Sequence, residues 1–135
     1  MDQAEAVVAA ELFPKILYRL KDTDESVRKM AATCIREVVK QSPELSRLYV
    51  EAGGVAATIE YLNENKGVAR LPGVLILGYI AGYDAQTAMS IITSKGITVL
   101  KDSLIQVPDD LVKGATAWAL GQIGGHSPDH AKLVA

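Results

Sequence analysis

A self-similarity with a period of about forty-two residues constrains this chain more than any other feature. The stretch 114–126, which holds Ala115, Ala117, Trp118, Ala119, Leu120, Gly121 and Ile123, has weaker echoes at 71–83 and 29–41. Leu77-Gly78 returns as Leu120-Gly121, Ile80 returns as Ile123, and Ile35 and Val38 hold the same register one period earlier. A repeat of this length is one supersecondary unit that cannot bury its apolar face alone, so neighbouring units must stack. That excludes a single enclosed enzyme core and predicts a helical solenoid.

Helix caps frame the repeat. Ser42-Pro43-Glu44 and Ser127-Pro128-Asp129 each join a serine N-cap, a proline at the first helical position and an acid in the first turn. Asp84-Ala85-Gln86 fills the slot between them. The predicted units are 1–42, 43–84 and 85–127, with 128–135 opening a fourth. Each holds three helices. The short first one covers 43–52 and 85–93, and Gly53-Gly54 or Gly96 ends it, because a tight turn needs a residue without a Cβ. The second covers 13–20, 55–62 and 97–104, with Leu20, Leu62 and Leu104 in one register and Ile16, Thr58 and Leu100 in another. Polar turns around Asp24, Asn65 and Asp109 lead to the long third helix, with Asp24 and Asp109 as caps. Small residues on that helix (Ala31, Ala32, Gly73, Gly78, Ala115, Ala117, Ala119) allow close approach between units, and Ile35, Val38, Leu77, Ile80, Leu120 and Ile123 fill the core. The first unit has Leu12 where the others have Gly54 and Gly96, so its first two helices should join through a different turn. Met1 aligns with Pro43 and Ala135 with Val50, and neither outer unit shows a polar outer face. The expectation is a piece of a longer array with adhesive ends and concentration-dependent self-association.

Composition narrows the function. Apolar residues make up 49% of the 135, enough for a core, and the formal net charge of −2 gives no bulk attraction to nucleic acid. A single cysteine, Cys34, cannot form an internal disulfide, and the acidic start lacks the basic flank of a signal peptide. The apolar run 71–83 contains Pro72, Gly73, Gly78 and Gly82 and is too short to span a bilayer, so no membrane partner is expected.

Three helices per unit, a glycine between the first two and an Ala-rich third helix resemble the armadillo repeat. The runs Leu12-Phe13-Pro14, Ala31-Ala32-Thr33-Cys34-Ile35, Ala52-Gly53-Gly54-Val55, Arg70-Leu71-Pro72-Gly73 and Trp118-Ala119-Leu120-Gly121-Gln122 are similar to the C-terminal half of the sperm-associated antigen six family. The resemblance implies an all-α, armadillo-repeat, right-handed superhelical solenoid of about three three-helix repeats. It also implies a non-enzymatic scaffold of the central pair of microtubules in the axoneme of motile cilia and flagella, needed for flagellar motility. Its partners would be central-pair proteins, tubulin and the adjacent armadillo repeats of the parent chain. Its place would be the cytoskeleton of the cytoplasm or cilium.

Armadillo arrays dock extended segments along the groove lined by third helices. In importin-alpha-like carriers that groove is a ladder of Trp and Asn four residues apart. Here the ladder positions are Thr33 and Glu37, Leu75 and Tyr79, and Trp118 and Gln122. Only the last pair keeps the chemistry, because Leu75, Glu37 and Tyr79 cannot pair amides with a peptide backbone. This disfavours a nuclear-signal carrier and leaves a mixed polar and aromatic groove for another protein segment. An interaction domain within a larger enzyme-bearing protein is the remaining alternative. Arg28, Lys29, Arg36 and Lys40 form a basic stripe on the first unit's third helix; Arg28, Arg36 and Lys40 are the candidate contacts to an acidic surface, against the plainer reading of a solvated, ion-paired face. His126 and His130 stand four apart, but Ser127-Pro128 starts a helix between them, so they should not share a face, and no metal is expected. Cys34 sits among Ala and Ile and reads as a buried apolar residue, with no histidine in its unit to activate it. No Gly-x-Ser-x-Gly, phosphate loop or zinc spacing is present, and Gly121 to Gly125 lies at a helix end without the strand a dinucleotide site needs. The chain is therefore read as no enzyme, with no cofactor.

Overall fold

In a computed structural model of the chain, residues 3–126 and 128–135 are described, and among them every regular element is helical. α1 (Gln3–Arg19) and α2 (Glu25–Gln41) make the first unit. α3 (Pro43–Glu51), α4 (Gly54–Glu64) and α5 (Leu71–Tyr83) make the second, with a 3₁₀ turn at Gly67–Arg70 leading into α5. α6 (Ala85–Thr93), α7 (Gly96–Gln106) and α8 (Asp110–Gly124) make the third, and α9 (Pro128–Val134) follows.

The predicted caps close their helices. The backbone N–H of Leu45 donates to Ser42 Oγ (3.2 Å), that of Gln86 to Asp84 Oδ1 (3.0 Å), that of Ser26 to Asp24 Oδ1 (2.8 Å) and that of Val112 to Asp109 Oδ1 (3.1 Å). Each satisfies an N–H that has no partner within its own helix. The cap expected at Ser127 lies outside the described residues.

The turn between the first and second helices differs from expectation. Its left-handed residue is Gly53 (φ 93°) in one unit but Lys95 (φ 67°) in the next. The glycine after it, Gly54 or Gly96, serves close packing instead: a Cβ there would lie 2.3 Å from Tyr49 Cε2 or 2.4 Å from Ile91 Cγ2. Leu12 holds this position in the first unit. A leucine cannot occupy that space, and the structure has no turn there at all: α1 is one continuous helix running through Pro14.

The third helices α2, α5 and α8 stack side by side, with α5 in the middle. Ile35, Val39, Val74, Leu77, Ile80, Leu100, Ala119 and Ile123 are fully enclosed between them and the second helices. At about 25 cal/mol per Å² of apolar surface, each such aliphatic side chain contributes on the order of 2 kcal/mol. Leu20 and Leu62 share their register in the core, whereas Leu104 is half-buried. Thr58 is buried at a position expected to be apolar, and its hydroxyl donates to Gly54 O (2.7 Å). Having used its proton, it accepts from the enclosed Tyr49 hydroxyl at 2.6 Å. Phe13 of α1 meets the Tyr49 ring edge-on, with centroids 5.5 Å apart.

Polar clasps tie one unit to the next. Arg28 Nε donates to Asn65 Oδ1 (3.1 Å). Arg70, one period later, donates through Nη1 to Asp102 (3.1 Å) and Ser103 (2.9 Å), and through Nε to Asn65 O (2.7 Å). At the C-terminal ends of the third helices, Tyr83 Oη donates to Lys40 O (2.8 Å), and His126 Nε2 meets Ala81 O.

Candidate functional site

The six ladder positions fall on three adjacent helices and make one stripe. Thr33 and Glu37 project from α2, Leu75 and Tyr79 from α5, and Trp118 and Gln122 from α8; all six are half-buried. Spacing of four residues keeps each pair on one helix face.

The stripe is rigid at its third-unit end. The Trp118 ring lies over the backbone of Gly78, where a Cβ would come 2.2 Å from Cζ3. The same ring meets Tyr79 edge-on, with centroids 4.9 Å apart and planes at 68°. Gln122 lies over Gly82, with Nε2 2.6 Å from where a Cβ would be. Gly78 and Gly82 thus form a seat, four residues apart, for Trp118 and Gln122. Gly78 was expected to allow close approach, but the paired role of Gly82 was not anticipated. Its signal was the (i, i+4) glycine pair facing an (i, i+4) Trp/Gln pair one period later.

The stripe is polar and acidic at its first-unit end. Thr33 Oγ1 donates back to Lys29 O (2.8 Å), leaving its acceptor lone pairs outward. Glu37 pairs with Arg36 at 2.8 Å. The surface runs from a carboxylate through a phenol and an indole to a primary amide, so it can accept from and donate to a bound backbone while stacking apolar side chains.

The predicted basic stripe does not form one surface. Arg28 is drawn inward, donating to Asp22 O (2.8 Å) and Thr23 O (3.2 Å) besides Asn65, and Arg36 is spent on Glu37. Lys29 and Lys40 remain exposed. Cys34 is exposed and not buried as expected. Its register partners Ile76 and Ala119 are enclosed, so the difference is local. Among the described residues, α5 and α8 each have a third helix before them to pack on, and α2 has none. His126 and His130 come together although a helix begins between them: their rings are 5.8 Å apart, and His130 Nε2 meets Ala85 O at 3.2 Å. Both grip carbonyls at the α5–α6 corner, and among the described residues no group of three or more His, Cys, Asp or Glu is placed to hold a metal. No helix among them is long and apolar enough to cross a membrane.

Burial, not function, accounts for the two displaced tyrosines. Desolvation pushes the Tyr49 phenol well above the ordinary range, opposed by its hydrogen bond with Thr58. Burial likewise pushes Tyr61 up to about 12, opposed by the Arg28 charge and aided by Glu25. Tyr61 Oη donates to Ala69 O at 2.6 Å.

Known proteins resemble this arrangement at two levels. A HEAT repeat family model matches residues 12–42. Human Sperm-associated antigen 6 is 59% identical over 32 residues, which is 24% of this chain and 6% of that protein. Mouse Sperm-associated antigen 6 is 56% identical over 32 residues, again 24% of this chain and 6% of the relative. The matched segment therefore spans a small fraction of those proteins. Solved structures agree over much more of the chain. The designed armadillo repeat protein YIII(Dq)4CqI superposes with a TM-score of 0.83 at 15% identity, over 90% of this chain and 51% of that one. A related designed armadillo repeat protein, in complex with the peptide (KR)4, gives 0.83 at 16% identity, over 90% and 51%. An engineered protein from a structural genomics programme gives 0.83 at 24% identity, over 90% and 49%. The fold is an armadillo/HEAT-type helical-repeat solenoid.

Proposed function

We propose that the chain is a protein-docking scaffold whose binding surface is the stripe from Thr33 and Glu37 through Leu75 and Tyr79 to Trp118 and Gln122, and that it serves the central apparatus of motile cilia or flagella. The observation that carries the docking role is the seated Tyr79–Trp118 pair, an aromatic anchor held in place over Gly78 while both rings stay partly exposed. Aromatic anchors with little conformational freedom to lose are the usual energetic centres of protein interfaces. The armadillo relative bound to (KR)4 supports a peptide-docking use of this fold. The stripe here has a single carboxylate, Glu37, already paired with Arg36, so a strongly basic segment is a poor match. The ciliary assignment is supported by the local identity to Sperm-associated antigen 6 and by the runs that resemble that family.

The test is affinity capture from an axonemal extract, with the (KR)4 peptide as competitor. Retention of central-pair proteins, undiminished by (KR)4 and lost in a Tyr79→Ser/Gln122→Glu variant of unchanged helicity, is the expected result. Displacement by (KR)4 would favour a carrier of basic peptides. Equal retention by the variant would remove the stripe as the docking surface.

A further inference from the structure

The ladder stripe changes its hydrogen-bonding character along its length. Over α5 and α8 it offers Tyr79, Trp118 and Gln122, and among the described residues none of these side chains has a hydrogen-bond partner. The Trp118 indole N–H can only donate, the Tyr79 hydroxyl has a proton to give, and the Gln122 amide has two besides its one carbonyl. The other acceptors lie at the α2 end: Thr33, whose proton is spent on Lys29 O, and Glu37, held by Arg36. From Leu71 to Tyr83 on α5 and from Gly114 to Gly125 on α8 no residue is charged, so a charged segment gains nothing there. This openness belongs to the middle of the stack and not to its ends. Leu75 and Tyr79 stay partly exposed on α5, which has a third helix on each side.

A surface rich in donors and aromatic faces, and poor in charge, selects its partner. An extended segment of ordinary residues brings one backbone N–H for every C=O. A ladder of amides can answer both. An indole answers carbonyls alone, and a phenol oxygen, conjugated with its ring, is a poorer acceptor than an amide. Proline brings a carbonyl with no N–H to leave unmet. In the polyproline II conformation the backbone has no internal hydrogen bonds, so its carbonyls are free, and its shape is set before binding, so little freedom is lost. Aromatic-lined grooves are the sites such segments fit. The Tyr79 and Trp118 rings, with centroids 4.9 Å apart and planes at 68°, give two apolar faces at different tilts for proline rings. Polyproline II repeats every three residues at about 3.1 Å each, so one turn is about 9 Å long. Packed helices lie about 8–10 Å apart, so one face of the segment can meet α5 and then α8.

We propose that the stripe takes a proline-rich segment of its partner in the polyproline II conformation. Prolines lie against Tyr79 and Trp118, and the segment's carbonyls accept from Tyr79 Oη, Trp118 Nε1 and Gln122 Nε2. Residues that keep an N–H lie toward Thr33 and Glu37. This rests on the docking role proposed for the stripe and names the chemistry of what docks.

The probe is the uncharged peptide acetyl-(Pro-Pro-Ala)3-amide, titrated into the isotopically labelled chain. The amide signals of Gly78, Tyr79 and Gly82 and the indole signal of Trp118 should shift and saturate. The mirror-image peptide of D-residues and the proline-free acetyl-(Thr-Thr-Ala)3-amide should each bind about tenfold more weakly. Tyr79→Phe and Trp118→Phe, which keep a ring and lose a donor, should each weaken binding about three- to tenfold while helicity is kept. Equal binding of the mirror-image or the proline-free peptide would overturn the proposal, as would unmoved signals at millimolar peptide. Its failure is separable from failure of the docking role. If axonemal proteins are captured, are lost in the Tyr79→Ser/Gln122→Glu variant and are not displaced by the proline-rich peptide, the stripe docks a segment of other chemistry and this proposal falls alone. Retention by that variant removes both.

Discussion

Gly78 and Gly121 stand one period apart on equivalent helices, and the same substitution should have opposite effects at the two sites. At Gly78 a new Cβ would lie 2.2 Å from Trp118 Cζ3, 2.7 Å from Cε3 and 2.8 Å from Cη2. Three ring atoms inside van der Waals distance cannot be relieved by rotating a flexible tip, so the indole must leave its seat. Such overpacking costs about 1–3 kcal/mol, and losing the edge-on Tyr79–Trp118 contact adds about 0.5–1.5 kcal/mol. Alanine returns about 0.5–1 kcal/mol through helix propensity. The net for Gly78→Ala is a loss of about 1–3 kcal/mol. Gly121→Ala meets nothing within 4 Å, so only the propensity gain remains, up to about 1 kcal/mol of stabilisation. Urea unfolding of dilute protein, followed by helicity and by fluorescence of the single tryptophan, measures both. Trp118 emission should shift to the red in folded Gly78→Ala and stay put in Gly121→Ala. A Trp118→Leu background should erase most of the Gly78→Ala cost, since the colliding ring is gone. Equal stability for the two alanine variants with unchanged emission would refute the seat.

Other perturbations test other joints of the stack. Arg70→Met should lose about 3 kcal/mol in urea unfolding, because Asp102 and Ser103 in the third unit and the Asn65 carbonyl in the second lose a shared buried donor; Arg70→Lys should lose less. Thr58→Val should cost about 1–2 kcal/mol by leaving the enclosed Tyr49 hydroxyl unpaired, and Tyr49→Phe on that background should recover most of it. Tyr49 and Tyr61 are protonated in the fold beyond the unfolded value of about 10, so the fold's advantage is whole below pH 10. It should fall as pH rises from 10 toward 12, and absorbance at 295 nm should show both phenols ionising only as helicity is lost. Native Cys34 in dilute protein should react with a thiol reagent as fast as the unfolded chain, in contrast to a cysteine placed at Ile76, its enclosed register partner.

Stacking was readable from the sequence because it is a repeated burial problem, and repetition leaves Leu77, Leu120, Ile80 and Ile123 at fixed offsets. Caps were readable because Ser42, Asp84, Asp24 and Asp109 each perform one local hydrogen bond. What escaped depends on a missing neighbour or on three-dimensional register. Cys34 has the local sequence of a buried residue, and it is exposed because, among the described residues, no third helix packs on that side of α2. Lys95 takes a left-handed conformation that its sequence does not advertise, because the adjacent Gly96 is needed for contact with Ile91. Arg28 reads as a surface charge, yet the carbonyls of Asp22 and Thr23 and the amide of Asn65 turn it inward. The histidine pair was misjudged because a helix start between two residues does not prevent both from reaching the same corner of the preceding unit. The ladder positions fall on neighbouring helices, but spacing alone could not show that Trp118 rests on glycine.

The account turns on neighbouring third helices sharing one interface, and the single indole reports on it directly. In a nuclear Overhauser spectrum of the isotopically labelled chain, the Trp118 ring protons should show strong cross-peaks to the Gly78 Hα protons and to the Tyr79 ring, and none to Thr33 or Cys34 on α2. Trp118 cross-peaks to α2, or none to Gly78, would mean that the forty-two-residue units are not stacked in this order.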